Sequence, residues 1–134
     1  RRSISSEACM ADDGIDPAAA AENAVAEWLA SRGWEIVERN LRLGPGEIDI
    51  IACRSGIMAF VEVKLASTGS ATMAPEKIDR RKRSKIAGTA ASYLAAKPFG
   101  GGCRFDVAVV RGLPGCFEID YLENAFVSDT IFTV

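Results

Sequence analysis

Two short apolar segments, Glu47 to Cys53 and Ile57 to Leu65, each carry an acid in their middle, and one tight turn, Arg54-Ser55-Gly56, joins them. Apolar runs of this length bounded by turn residues are extended, and so short a connection folds the chain back as an antiparallel hairpin. The hairpin sets Asp49 beside Glu62, across the twelve residues 50–61. Side chains alternate along a strand, so Glu47, Asp49 and Ile51 share one face of the first segment, and Phe60, Glu62 and Lys64 one face of the second. Nearly every neighbour of Glu62 is apolar. An unpaired buried carboxylate costs several kcal/mol, roughly, so a cation must meet it. Lys64 is one candidate. A divalent ion held jointly with Asp49 is the other, because Mg²⁺ takes one or two carboxylates and keeps waters for a substrate phosphate. A plain Glu62–Lys64 ion pair beside a surface Asp49 is the structural alternative.

Composition narrows the chemistry. The 134 residues, 49% hydrophobic and 25% charged, suit one globular domain with a real core. A formal charge of −2 draws no phosphate to the molecule as a whole, so any nucleic-acid site is local. The absence of histidine excludes Ser-His-Asp and Cys-His nucleophile systems, HNH-type nucleases and His-ligated metals, leaving carboxylates and Lys for hydrolysis. Cys9, Cys53, Cys103 and Cys116 form no CxxC half-site and read as reduced thiols. With no apolar run of about 20 residues and no basic-then-apolar leader pattern, the expectation is a cytoplasmic protein without a membrane partner.

Residues 1–15 read as a flexible lead-in behind a trimmed start at Arg1, and residues 16–127 as a single domain. Asp16-Pro17 opens a helix that carries Val25, Trp28 and Leu29 at helical spacing and stops at Gly33. Extended pieces follow at Trp34–Leu43, Glu47–Cys53 and Ile57–Leu65. Pro75 opens a second long helix, ending near Pro98, and strands at Cys103–Arg111 and Cys116–Leu122 close the order α-β-β-β-α-β-β. The expected class is α/β, a mixed central sheet flanked by two helices. Residues 128–134 form a tail, and the apolar residues Phe126, Ile131, Phe132 and Val134 point to burial against a second copy in a homodimer.

Five of the six residues 80–85 are basic: Arg80, Arg81, Lys82, Arg83 and Lys85. A solvated helix face is the ordinary explanation. Positive charge at a helix start gains nothing from the helix dipole, however, which favours phosphate contacts instead. Lys82 lies four residues before Ile86 and so leans to the packed side. Glu47, Arg104 and Asp106 read as supporting partners or plain ion pairs.

The strings GEIDII at 46–51 and FVEVK at 60–64 resemble the YraN-type family of uncharacterised bacterial proteins, within the restriction-endonuclease-like PD-(D/E)xK nuclease superfamily. Glu22, Ala26, Trp28-Leu29, Gly33, Arg39-Asn40, Lys82, Tyr93-Leu94, CRFDV at 103–107 and NAF at 124–126 extend the resemblance over residues 17–127. It implies a restriction-endonuclease-like core. It also implies that Asp49 and Glu62 bind Mg²⁺ or Mn²⁺ with the Val63 carbonyl, that Lys64 orients the attacking water, and that Glu22 adds a carboxylate. The expected activity is phosphodiester hydrolysis in DNA, with branched DNA suggested by similarity to archaeal Holliday-junction resolvases. The competing expectation is a non-catalytic nucleic-acid-binding or interaction protein with a vestigial site.

Overall fold

The structure, a computed structural model, describes residues 16–66 and 80–126. Helix α1 (Pro17–Ser31) starts where expected: Asp16 caps it by accepting the Ala19 N–H at 3.2 Å, and Pro17 occupies the first turn, where its missing N–H costs nothing. It ends at Gly33, which takes φ 89° and donates to the Ala30 carbonyl. Strands β1 (Glu35–Leu43), β2 (Gly46–Arg54) and β3 (Ile57–Leu65) form an antiparallel meander. Ser55 and Gly56 both have positive φ, 51° and 77°, the two-residue turn whose twist matches a right-twisted hairpin.

Helix α2 (Arg80–Ala96) then carries the chain over the sheet, so that β4 (Gly102–Arg111) pairs parallel to β3, and β5 (Glu118–Phe126) closes the sheet antiparallel to β4. The strand order is β1-β2-β3-β4-β5. Each face of the sheet is covered by one helix. Val25, Trp28 and Leu29 of α1 pack with Ile50, Val61, Val110 and Tyr121, while Ile86, Ala90 and Tyr93 of α2 pack with Ile51, Phe60, Phe105 and Val109. The α/β class and the element order agree with the sequence. Among the described residues no helix is long and apolar enough to cross a membrane.

Three expectations need correction, and three fall outside the described residues. The last strand begins at Glu118, because the Cys116 N–H bonds back to the Leu113 carbonyl and the turn must finish before pairing starts. It runs on to Phe126, whose ring stacks on Phe105 with centroids 4.8 Å apart, so Phe126 belongs to the core and not to an apolar tail offered to a second copy. Cys116 is disulfide-bonded, against the reading of four reduced thiols, while half-buried Cys53 and Cys103 are free. The lead-in 1–15, the tail 128–134 with Ile131, Phe132 and Val134, and the helix start at Pro75 lie outside the described residues.

The turn Gly44-Pro45-Gly46 between β1 and β2 lies against α2. The Gly46 N–H donates to Thr89 Oγ1 at 2.8 Å, and a Cβ added at Gly88 would stand 2.6 Å from Pro45 Cγ. Replacing a mid-helix glycine by alanine ordinarily stabilises a helix by ~0.5–1 kcal/mol. Here Gly88→Ala should lower the melting temperature by a few degrees, because the pyrrolidine ring cannot yield and overpacking costs roughly 1–3 kcal/mol. An unchanged or raised melting temperature would show that the turn is not clamped.

Candidate active site

The β2–β3 ladder runs from Arg54↔Ile57 to Ile50↔Val61 and stops one step short of Asp49 and Glu62, which the hairpin still brings to one cleft. At that step the backbone pairing gives way to a side chain. Asp49 Oδ2 accepts the Val63 N–H at 2.8 Å. A strand residue turns its N–H and C=O to the same side, so the Val63 carbonyl faces the same opening. The strict alternation expected for β2 breaks here, since Ile48 and Ile51 both serve the α2 layer while Ile50 and Ala52 serve the α1 layer.

The opening continues into a cleft of about 350 Å³. One wall is acidic, formed by Glu47, Asp49 and Glu62. The other is basic, formed by Arg81, Lys82 and Lys85 from the first turns of α2, with Gly46 and Ile86 completing the lining. The Gly46 turn brings the walls together: a Cβ on Gly46 would come within 3.0–3.2 Å of Lys85 atoms. Glycine makes that approach without strain, whereas any side chain would need Lys85 to give way by a few tenths of an ångström.

The cation against Glu62 is Lys82, at 2.8 Å from Oε2, and not Lys64. Of the side-chain candidates, Lys64 lies on the hairpin itself, whereas the partner arrives from α2. Lys64 is half-buried two residues beyond Glu62. The basic run divides by helical geometry: Arg81, Lys82 and Lys85 face the cleft, whereas Arg83 turns away, its guanidinium 5.7 Å from the centre of the Phe126 ring. Arg80 is exposed at the helix start and outside the cleft lining.

Electrostatics ties the acids together. The Asp49 carboxyl is pushed up to about 7, first by burial and then by Glu62, with smaller pushes from Glu22 and Glu47; the Val63 N–H opposes them and loses. Glu22 therefore stands within electrostatic reach of the site, half-buried on α1. Burial raises its carboxyl also, while a hydrogen bond from the Asn40 side chain and the Arg39 charge pull it down. The Arg39-Asn40 pair locks α1 to β1, since Arg39 Nη2 also donates to Asn23 Oδ1 at 2.8 Å. Glu47 has a loose, exposed partner in Arg42 at 3.6 Å. Among the described residues no three His, Cys, Asp or Glu side chains converge as a metal-binding group, so the set consists of the two acids and the nearby peptide carbonyl.

Asp106 belongs elsewhere. Fully buried beneath the α1 layer, it accepts hydrogen bonds from Arg104 Nε at 3.0 and 3.1 Å, Tyr121 OH at 2.6 Å and the Asn124 N–H at 2.8 Å. The irregularity in the β4–β5 pairing and the positive φ of Asn124, 53°, turn that N–H inward. Burial raises the Asp106 carboxyl despite these donors, and burial with the Asp106 charge raises the Tyr121 phenol. Asp106 is thus the ion pair anticipated from its sequence surroundings.

A family model described as "Uncharacterised protein family UPF0102" matches residues 21–110, a span holding Glu22, Asp49, Glu62, Lys64 and Lys82. A UPF0102 protein of Treponema pallidum is 42% identical over 106 residues, 75% of this chain and 84% of the relative. One of Moorella thermoacetica is 41% identical over 90 residues, 66% and 75% of the two chains. One of Symbiobacterium thermophilum is 38% identical over 111 residues, 80% and 92%.

The Asp49 shift fixes a pH dependence. Its folded value, about 7, lies above the unfolded carboxylate value, so the folded state keeps this proton longer; the contribution to stability is full below about pH 4 and is lost as pH rises through 7. In metal-free protein, Asp49→Asn should therefore gain on wild type between pH 4 and 8, by roughly 3 kcal/mol, in paired thermal melts. A variant less stable at every pH would make Asp49 a structural hydrogen-bond acceptor and nothing more.

Proposed function

The chain belongs to the uncharacterised protein family UPF0102, and within it we propose a metal-dependent nuclease of the PD-(D/E)xK type, hydrolysing phosphodiester bonds in DNA. The observation that carries this reading is the meeting of Asp49 and Glu62 in one cleft where β2 and β3 part, with the Val63 N–H on Asp49 and a basic wall opposite. Action in the cytoplasm, on the cell's own DNA, is part of this proposal.

The donor set suits Mg²⁺ or Mn²⁺. Asp49 spends one carboxylate oxygen on the Val63 N–H and Glu62 one on Lys82, so each retains an oxygen for a ligand. Two carboxylates and a carbonyl, with the remaining positions left to water, are what a hard divalent ion accepts, and the set holds neither thiolate nor imidazole for zinc. Bound there, the ion supplies Lewis acidity toward the phosphate and a more acidic water. Asp49 and Glu62 hold it. Lys64, on the strand that carries Glu62, orients the water and offsets charge developing on the phosphorus. Glu22 keeps negative potential on Asp49 from the α1 side. Arg81 and Lys85 engage flanking phosphates, which position the strand without reading its sequence.

A second reading, a nucleic-acid-binding protein with a vestigial site, draws on one observation: Glu62 already has its cation in Lys82. Metal dependence separates the two. With Mn²⁺ and a panel of linear, flapped and four-way DNA, the nuclease cleaves at least one substrate, with branched DNA expected to be preferred. Chelation, Glu62→Gln and Lys64→Ala each abolish cleavage. Retention of uncut DNA, indifferent to all three, would establish the binder instead. In binding assays, Arg81→Gln with Lys85→Gln should flatten the salt dependence by about one unit per lost contact, equally for all sequences, whereas Arg83→Gln should leave it nearly unchanged.

A further inference from the structure

The sheet holds two buried carboxylates, and their cations are of different kinds. Asp106 is met by Arg104, whose side chain is 19% exposed, and its remaining lone pairs go to Tyr121 and Asn124. That partnership is enclosed: the Arg104 Nε–H is shared between both oxygens, and the guanidinium lies 5.2 Å from the Trp34 ring. Glu62 is equally hidden, its side chain 6% exposed, yet its partner is a lysine that is 47% exposed and sits in the opening turns of α2. A lysine is a compact charge on four flexible methylenes, and with 47% of this side chain exposed its ammonium has room to move off Glu62.

A carboxylate this buried needs a cation at all times, but it has no need for the same cation. With Lys82 on Oε2 and a divalent ion on the other Glu62 oxygen, two like charges would stand close together where water is scarce, and that repulsion favours release of the lysine. Once displaced, the ammonium remains tethered beside Arg81 and Lys85, on the wall where a phosphate would lie.

On the metal-dependent reading above, we infer that Lys82 is an exchangeable placeholder: it neutralises Glu62 while no divalent ion is bound, yields that position to the ion, and is thereby released to a DNA phosphate. Metal and DNA are then positively coupled through one side chain. The coupling is reciprocal, so DNA also tightens metal binding.

Calorimetric titration of Mn²⁺ into the full chain tests the exchange without any need for cleavage. Lys82→Met should bind Mn²⁺ about tenfold more tightly than wild type, as expected when a competing cation is removed. Lys82→Arg, which keeps the charge and holds a carboxylate with two N–H groups, should bind Mn²⁺ more weakly than wild type, and it serves equally well if the methionine variant does not fold. With Ca²⁺ added, the salt dependence of wild-type DNA binding should steepen by about one unit, and that of Lys82→Met should steepen less, for want of the released lysine. If wild type binds Mn²⁺ and Lys82→Met binds it equally or less tightly, Lys82 is a fixed structural partner and the placeholder is overturned while the metal site stands. If wild type binds no Mn²⁺ at all, the metal reading itself falls.

Discussion

One backbone N–H decides the shape of this site. Continued by a single step, the β2–β3 ladder would bring Asp49 and Glu62 together as an ordinary cross-strand pair, with like charges opposed at a cost. The Asp49 carboxylate instead takes the Val63 N–H, satisfying a donor that the parting strands would otherwise leave unpaired. The opening so created admits the basic face of α2 and turns the Val63 carbonyl toward the acids. It also sets up the competition felt by Asp49. One hydrogen bond favours its charged form, while burial and three neighbouring carboxyls oppose it; burial prevails, which is why the group rises to about 7.

What holds α2 over that opening is not charge. Desolvation of the buried Glu62 offsets much of the attraction in its ion pair, so the pair by itself does not place a helix. The placement comes from Ile86, Ala90 and Tyr93 packed on Phe60 and Phe105, and from the 44–46 turn, whose Gly46 N–H finds Thr89 and whose Pro45 fills the space left by Gly88. The cations are carried into position by an apolar and steric fit. On the proposed reading, an exchange of partners among them need not loosen the fold, and the two glycines shape the cleft along with the charges that line it.

Much of this was legible in the residues. Alternating apolar runs, a Ser-Gly turn and a capped alanine-rich helix specify the order of elements, and the two acids in apolar strands point to the hairpin that pairs them. The identity of the Glu62 cation was not legible to the same degree, because β-alternation links Glu62 to Lys64 whereas Lys82 arrives from an element twenty residues on. Helical spacing against Ile86 was the available signal, and it gave the direction in which Lys82 leans but no partner. The break in alternation at Asp49 accompanies the Val63 hydrogen bond and the positive φ of Asn40 on the neighbouring strand, features that no local pattern in β2 encodes. Phe126 misled for a related reason: near the chain end it resembles a tail residue, and only the extra residues accommodated in β5 opposite Asp106 carry it back over Phe105. Spacing excluded a CxxC half-site but could not say which thiols the fold brings together, and so Cys116 was misread.

The two walls of the cleft carry three acids and three bases, whose formal charges cancel. With the overall charge at −2, a polyanion approaching the molecule gains little from it at long range. On the proposed reading, attraction is therefore conditional. While Lys82 is committed to Glu62 and Asp49 carries part of a proton, the acidic wall is nearly neutralised from within, and two cations remain for phosphate. A divalent ion between Asp49 and Glu62 reverses both conditions: the acids become its ligands, Lys82 joins Arg81 and Lys85, and the cleft turns net positive at the place where a scissile phosphate would sit. A protein without a basic field can then hold DNA firmly only when the ion needed for the chemistry is present, so local charge exchange supplies what its composition lacks.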